Sequence, residues 1–127
     1  MEQTKRTAGD KPYDLRERLF EFACDIVRLV QFLHTQGPVA TELSHQILKS
    51  GTSAGANYEE ADDGSSPRDS LAKKKIVLRE LKETRFRLRL LQRMAIITAA
   101  QDAVLSESDQ LVRIMATIIR RASADPP

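Results

Sequence analysis

The stretch SGTSAGANYEEA, residues 50–61, decides the fold because it places two glycines among small residues in a segment of helical periodicity. It is either a loop whose backbone N–H groups hold a phosphate or a helix whose small side chains let another backbone come close. A phosphate-binding loop needs a preceding strand and a Gly-Lys-Ser/Thr ending, and the sequence has neither. A helix-interior glycine costs about 1 kcal/mol relative to alanine, and close helix packing offsets that cost. We therefore predict a tightly packed helix, with packing residues Gly51, Ala54, Gly55, Asn57 and Tyr58.

The composition predicts one helical domain with an aliphatic core and a charged surface. Hydrophobic residues make up 41% of the 127 positions, charged residues 30% and aromatic residues 5%, without tryptophan. Cys24 has no second cysteine to pair with, so we expect a small buried side chain in a reducing compartment. No apolar run reaches the length of a membrane span, and residues 1–13 do not resemble a secretory signal. We expect a cytoplasmic protein that does not contact membranes.

Two helical segments occupy the first half of the chain. The first follows Asp14, which with Glu17 forms a candidate capping box, and it ends at Gly37-Pro38. The second ends at Asp62-Asp63-Gly64. Their apolar positions recur at intervals of three and four, which is typical of one buried helix face. These positions are Leu15, Leu19, Phe22, Ile26, Val30 and Leu33 in the first segment and Leu43, Ile47, Gly51, Ala54 and Tyr58 in the second.

The third and fourth segments begin with helix-start signals. Ser66-Pro67 with Asp69 offers an N-cap serine, a first-position proline and an acid in the first turn. No Gly or Pro follows through Ala100, so the third helix is expected to reach that residue. Ser106 with Asp109 is the expected start of the fourth. Its apolar stripe is Leu111, Ile114, Met115 and Ile118.

Four amphipathic helices with short connections predict an all-α, antiparallel up-down four-helix bundle. We expect the bundle to cover residues 14–122, between flexible segments at 1–13 and 123–127.

The third segment has two apolar arcs when its residues are projected at 100° each. The first arc is expected to face the bundle interior and comprises Val77, Leu78, Leu81, Leu88, Leu91 and Ala95. The second is expected to form a subunit interface, because one domain cannot easily bury it. It comprises Ile76, Leu90, Met94 and Ile97. The alternative is a set of scattered surface aliphatics or a contact with a neighbouring loop.

A third face of the same segment is basic, and it also carries Phe86. Residues 73–93 hold nine Lys and Arg against two Glu, a net +7, whereas the whole chain carries +2 and the remainder therefore −5. Such a stripe is suited to a nucleic-acid backbone. A solvated helix face, partly paired with Glu80, Glu83 and the acidic residues 59–63, and a protein partner are the alternatives. The candidate nucleic-acid-binding residues are Lys75, Arg79, Lys82, Arg89 and Arg93.

Catalytic and metal sites have little support in the sequence. A di-iron bundle needs Glu-x-x-His on two helices; Glu42 and His45 supply one such motif, whereas Gln31 precedes His34 in the place of the second glutamate. The carboxylates at 59–63 are expected to be solvated or to pair with a neighbouring subunit. Arg113, Arg120 and Arg121 either extend the basic surface or complement the dipole of the last helix. We predict no catalytic residue, metal ligand or cofactor.

Residues 46–91 resemble the four-helix-bundle proteins first described as encoded in intervening sequences of bacterial 23S ribosomal RNA genes. The likeness lies in SGTSAGANYEEA (50–61), KIVL (75–78) and KETRFRLRLL (82–91), and it extends over residues 14–122. The sequence departs from the family at Arg87, where a tryptophan often follows the aromatic position held here by Phe86. A sister branch consists of accessory proteins of diversity-generating retroelements.

The resemblance implies bundles that assemble into pentameric rings and carry no catalytic site. Members of the retroelement branch are basic and bind nucleic acid and their reverse transcriptase. We therefore expect a non-enzymatic homo-oligomer with RNA or DNA as its ligand. The alternative is a structural or protein-interaction module that binds a partner such as a reverse transcriptase without touching nucleic acid.

Overall fold

The computed structural model describes residues 14–64 and 66–124, which form four α-helices and no strand. The helices are α1 (Leu15–Leu33), α2 (Pro38–Asp62), α3 (Pro67–Arg93) and α4 (Asp102–Ser123). The all-α prediction is confirmed. The ends predicted to be flexible, 1–13 and 123–127, lie outside the described residues except for 123 and 124.

One shared core holds the four helices together. Contacts join α1 to α2, α2 to α3, α3 to α4 and α4 to α1, and they are most extensive between α2 and α3. The pair α1 and α4 meets over a short stretch, where the Arg18 guanidinium donates to both Glu107 carboxylate oxygens at 2.7 and 2.9 Å. This hydrogen bond raises the pKa of Arg18, and the ion pair links the two helices.

The predicted apolar stripes line this core. The six positions predicted for α1 are all buried, and Leu29 is buried as well. In α2, Ile47, Gly51 and Ala54 are buried, while Leu43 and Tyr58 pack at the edge. The apolar residues of α3 and α4 that are fully buried are Val77, Leu81, Leu88, Leu91, Leu111 and Met115. Leu78, Ile114 and Ile118 pack against them while partly exposed.

Local chemistry explains where α2 and α3 begin. Gly37 precedes α2 with a φ of 99°, a conformation that glycine adopts readily, and Pro38 takes the first helical position. The Ser66 hydroxyl accepts a hydrogen bond from the Asp69 backbone N–H at 3.1 Å, as the sequence predicted. Asp14 also precedes α1 as predicted, but its side chain makes no capping hydrogen bond.

Helix α3 ends at Arg93 and not at Ala100. The backbone turns at Ala95, whose φ is 61°. The N–H of Ile96 bonds to the carbonyl of Leu91 at 2.9 Å, and that of Ala95 to the carbonyl of Gln92 at 3.0 Å. This hydrogen-bond pattern is the Schellman motif, which usually places glycine where Ala95 stands. Ala95 is therefore exposed, and the prediction that it faces the core is wrong.

Helix α4 begins at Asp102, so the predicted start at Ser106 is wrong. The side-chain oxygen of Gln101 accepts a hydrogen bond from the Thr98 N–H at 2.9 Å and closes the preceding loop. Asp102 supplies the acid of the first turn. Ser106 and Asp109 lie inside the helix.

The small-residue run is helical throughout, and it brings α2 close to α1. A Cβ atom on Gly51 would lie 2.8 Å from Cγ1 of Ile26, which is too close for two carbons. A Cβ atom on Gly55 would meet Leu19 at 3.5 Å, an ordinary contact. The Asn57 amide donates to the Ser53 carbonyl of its own helix at 3.0 Å. Gly51 is therefore the position where the approach of the two helices depends on glycine.

A buried pair of hydroxyl groups joins α2 to α3, and the sequence pattern gave no sign of it. Ser50 Oγ lies 2.6 Å from Thr84 Oγ1, and both side chains are buried. Thr84 donates its single proton to the Glu80 carbonyl at 2.9 Å. The Ser50 hydroxyl therefore donates to Thr84, and each hydroxyl proton has an acceptor.

Alanine at the two glycines of α2 should have opposite effects on stability. Gly51→Ala forces the added methyl against Ile26, a buried β-branched residue with little rotamer freedom. Overpacking costs about 1–3 kcal/mol and the gain in helix propensity returns about 1 kcal/mol, so we expect a net loss of up to about 2 kcal/mol. Gly55→Ala has room for the methyl and gains helix propensity, about 1 kcal/mol. Urea unfolding followed by circular dichroism measures both. Equal shifts of the two midpoints would contradict the close approach at Gly51.

Removing one partner of the buried hydroxyl pair should cost more than removing both. Thr84→Val leaves the Ser50 hydroxyl without an acceptor, at an expected cost of about 1–3 kcal/mol. Adding Ser50→Ala should restore most of this loss, because two apolar groups need no hydrogen bond. Thr52→Val, at a half-exposed position of α2, is the control. Additive losses in a double-mutant cycle of unfolding free energies would show that the two hydroxyls do not act as a pair.

Candidate nucleic-acid interface

The predicted cations lie together on the solvent face of α3, which we term the basic face. Its residues Lys75, Arg79, Lys82, Arg89 and Arg93 are all exposed. Thr84, Leu88 and Leu91 are among the residues that turn the opposite side of the helix toward the core. The intervals of three, four and seven between the cations place them along one face of a helix with 3.6 residues per turn. The helix thus presents them in a single row.

The basic face has little compensating charge among the described residues. Arg79 lies 3.6 Å from a carboxylate oxygen of its neighbour Glu80. Lys75, Lys82, Arg89 and Arg93 form no ion pair with any residue in the described ranges 14–64 and 66–124. Four cations are therefore left to solvent or to a ligand.

The acidic residues at the end of α2 pair with other cations. Asp62 and Asp63 lie 3.4 and 3.5 Å from the Arg16 guanidinium. Glu60 lies 3.3 Å from the Lys73 ammonium group. The alternative interpretation, a solvated helix face partly paired with Glu80, Glu83 and the acidic residues 59–63, holds for Lys73 and Arg79. The other four cations of the basic face have no carboxylate partner among the described residues.

Two other cations of α3, Arg85 and Arg87, have partners within the described chain. Arg85 lies 3.3 Å from Asp109 of α4 and is partly buried. Arg87 donates to the Glu83 carbonyl at 3.4 Å within α3. Arg120 and Arg121 occupy the last turn of α4, where cations complement the helix dipole. The basic face is thus narrower than the full set of nine cations in residues 73–93.

Phe86 projects from the middle of the basic face. Its side chain is 60% exposed, although large aromatic residues are commonly buried. It borders a shallow hollow lined by Lys75, Leu78, Arg79, Lys82, Glu83, Phe86 and Arg87. The hollow combines an aromatic ring with four cations and one carboxylate.

The residues predicted for a subunit interface have different positions. Leu90 and Met94 are 39% and 65% exposed and continue the line of Phe86 at four-residue intervals. Ile76 is half-buried and borders a second hollow at the α2–α3 connection. Ile97 is 1% exposed and lies in the core of its own chain, so its place in the exposed patch is wrong.

Helix α1 carries two exposed apolar residues whose exposure was not predicted from the sequence pattern. Phe20 and Val27 are 55% and 41% exposed. They lie seven residues apart and so fall on the same side of that helix. The sequence contained a sign of this patch, because at 100° per residue both side chains lie about a quarter-turn or more away from the centre of the buried stripe of α1.

The two histidines pack against each other and belong to no metal-binding cluster of described residues. The rings of His34 and His45 meet edge to face, with centroids 5.8 Å apart. Within residues 14–64 and 66–124, no three His, Cys, Asp or Glu side chains converge in a group suited to a metal ion. Cys24 is half-buried and unbridged.

No helix in the described part of the chain is both long and apolar enough to cross a bilayer.

Comparison with known proteins gives a family match over most of the chain. The sequence model described as "23S rRNA-intervening sequence protein" matches residues 11–117. A crystal structure of a protein with unknown function from the S23 ribosomal protein family of Bacteroides thetaiotaomicron is 37% identical. It aligns with a TM-score of 0.75 and covers 83% of this chain and 97% of that chain. No curated protein matches the sequence.

Proposed function

The chain belongs to the 23S rRNA-intervening sequence protein family, and from this premise we propose that it is a non-enzymatic, self-associating protein that binds RNA or DNA through the basic face of α3. The observation that carries the proposal is the row of five exposed cations, four of which have no ion-pair partner in the described chain. Each phosphate that such a cation neutralises releases a counterion, and this release drives binding.

The length of the basic face suits a nucleic-acid backbone. Lys75 and Arg93 stand 18 positions apart in the sequence, which corresponds to about 27 Å along a helix. This distance equals about eight phosphates of one strand of a duplex at 3.4 Å each. The face can therefore contact several phosphates at once, and affinity should fall steeply as salt is added.

We further propose that the four helices form an antiparallel up-down bundle. Contacts between α1 and α2 pair Ile26 with Gly51 and Leu19 with Gly55, so the numbers run in opposite directions. The same holds for α2 and α3, where Ser50 meets Thr84 and Glu60 meets Lys73. In α3 and α4, Arg85 meets Asp109 and Gln92 meets Asp102. The short connections support this arrangement.

Self-association is supported by two exposed apolar patches on different helices. One patch contains Phe20 and Val27 on α1, and the other contains Leu90 and Met94 on α3. When two different patches of one protein meet, the contact is heterologous and repeated copies can close into a ring. A pentameric ring is the assembly that the family resemblance implies. A ring would repeat the basic face and raise the apparent affinity through multivalency.

A protein partner is the second candidate, favoured by the exposed apolar line of Phe86, Leu90 and Met94. Such a line on a helix is a common docking surface for another protein. A reverse transcriptase is the partner suggested by the retroelement branch. In this case the protein acts as an accessory subunit in the cytoplasm without direct nucleic-acid contact.

Reversing two charges on the basic face should abolish most nucleic-acid binding. We expect Lys82→Glu with Arg89→Glu to weaken binding at least tenfold at low salt, because two phosphate contacts become repulsive. The slope of log affinity against log salt should fall by between 1 and 2. Fluorescence anisotropy of labelled RNA and DNA over a salt series measures both quantities.

The matched control for these substitutions is Lys49→Glu with Arg121→Glu, which changes net charge equally at exposed positions of α2 and α4. Circular dichroism should show unchanged helicity in both double variants. An equal loss of binding in the control would mean that binding depends on the overall charge of the protein and not on the basic face. If the unaltered protein binds no RNA or DNA at low salt, the nucleic-acid proposal is wrong and the protein-partner candidate takes its place.

Introducing negative charge into the exposed apolar patch of α3 should dissociate the assembly. Leu90→Glu with Met94→Glu should leave the helices intact and yield the 14.3 kDa monomer, because carboxylates cannot be buried unpaired. Light scattering measures the mass. Val39→Glu, at a 66% exposed position at the start of α2, is the control. An unchanged mass in the double variant would place the interface elsewhere, whereas a monomeric unaltered protein would rule out self-association.

A further inference from the structure

We propose that the basic face selects single-stranded nucleic acid, and that the Phe86 ring is the platform on which an unpaired base stacks. This inference rests on the proposed function and specifies its ligand. It is carried by the position of Phe86, an aromatic side chain that is 60% exposed in the hollow at the middle of the basic face.

The surroundings of Phe86 favour a flat, anionic ligand. Lys75, Arg79, Lys82 and Arg87 line the same hollow, with Glu83 as its one acidic residue. Phe86 and Leu78 are the two apolar residues among those that line it. Interface cores between proteins are depleted of charge, and lysine is under-represented there. A nucleic acid offers both features that the hollow can use, since its phosphates are negative and its bases have flat π-faces.

The spacing along α3 matches one base between two backbone contacts. Lys82 precedes Phe86 by four residues, and Arg89 follows it by three. Each of these intervals is close to one helical turn, so the three side chains lie in line with about 5–6 Å between neighbouring Cβ atoms. A base stacked on the ring would therefore have a cation on each side for the adjoining phosphates.

The ring favours a single strand over a duplex. Base faces in a duplex are covered by their neighbours in the stack, so an aromatic side chain reaches them only by prying the stack apart. In a single strand each base face is open, and stacking on an aromatic residue contributes strongly to binding for any base. Cations flanking such a ring are the combination found in sequence-tolerant single-strand sites.

The absence of tryptophan from the sequence gives a direct probe of this site. Phe86→Trp places the only indole at the proposed platform. Titration with a thymidine 20-mer should quench its fluorescence, whereas the same length of duplex should quench it little. An indole that is not quenched by a single strand that binds would overturn the proposal.

Removing the Phe86 ring should weaken the binding of single strands and leave the binding of duplexes nearly unchanged. We expect Phe86→Leu to weaken single-strand binding by about 5- to 100-fold, the range for loss of one stacked base, and to change duplex binding less than twofold. Val39→Ala, at a 66% exposed position at the start of α2, should change neither affinity. Light scattering on each variant checks that assembly is the same.

Failure of this inference differs from failure of the proposed function. If the unaltered protein binds single strand and duplex equally and Phe86→Leu changes neither affinity, the stacking proposal is overturned while backbone binding stands. If Phe86→Leu weakens the binding of single strand and duplex equally, the stacking proposal is also overturned, because the ring would then not distinguish exposed bases from paired ones. If neither ligand binds at low salt, the proposed function fails and this inference fails with it.

Discussion

The whole arrangement depends on two adjacent residues of α2 that face different helices. Gly51 lets α1 approach until Ile26 occupies the space of a missing Cβ atom. Ser50, one position earlier, donates a buried hydrogen bond to Thr84 of α3. One contact depends on the lack of a side chain and the other on a specific polar atom. Together they fix α2 between its neighbours, and so determine which side of α3 is buried.

Once the inner side of α3 is fixed, its outer side carries a row of cations, of which only Arg93, in the last turn, complements the helix dipole. Cations of like sign three and four residues apart repel each other by a few tenths of a kcal/mol per pair. Lys75, Lys82, Arg89 and Arg93 have no carboxylate partners in the described chain, while Asp62 and Asp63 pair with Arg16 elsewhere. Burial of the inner side stabilises the helix despite this repulsion. The row of charge is thus best understood by what it presents to solvent.

The sequence predicted those features that depend on periodicity or on local capping chemistry. The six buried positions of α1 follow from their spacing, and the start of α3 follows from the Ser66 hydroxyl and Pro67. The basic face could also be predicted from the sequence, because five cations spaced by about whole helical turns lie on one side of any helix that contains them. The close approach at Gly51 followed from the energetic cost of glycine inside a helix.

The features that the sequence did not reveal depend on tertiary contacts. Helix α3 ends through a left-handed Ala95, a conformation that costs an alanine about 1–2 kcal/mol, and no glycine or proline marks the turn. The turn brings Ile97 into the core of its own chain, and this burial compensates for the strain. The pairing of Ser50 with Thr84 requires two helices to meet in one register, which no local pattern specifies.

The two proposed roles of α3 occupy neighbouring and distinct parts of its surface. At 100° per residue, Phe86 lies within the arc of the basic face, whereas Leu90 and Met94 turn progressively away from it toward the side of Ile76. A partner copy seated on Leu90 and Met94 therefore need not cover Phe86. Assembly and nucleic-acid binding are then compatible on one helix. A ring built through the apolar patch would carry one basic face per copy, each with an aromatic ring open to a base.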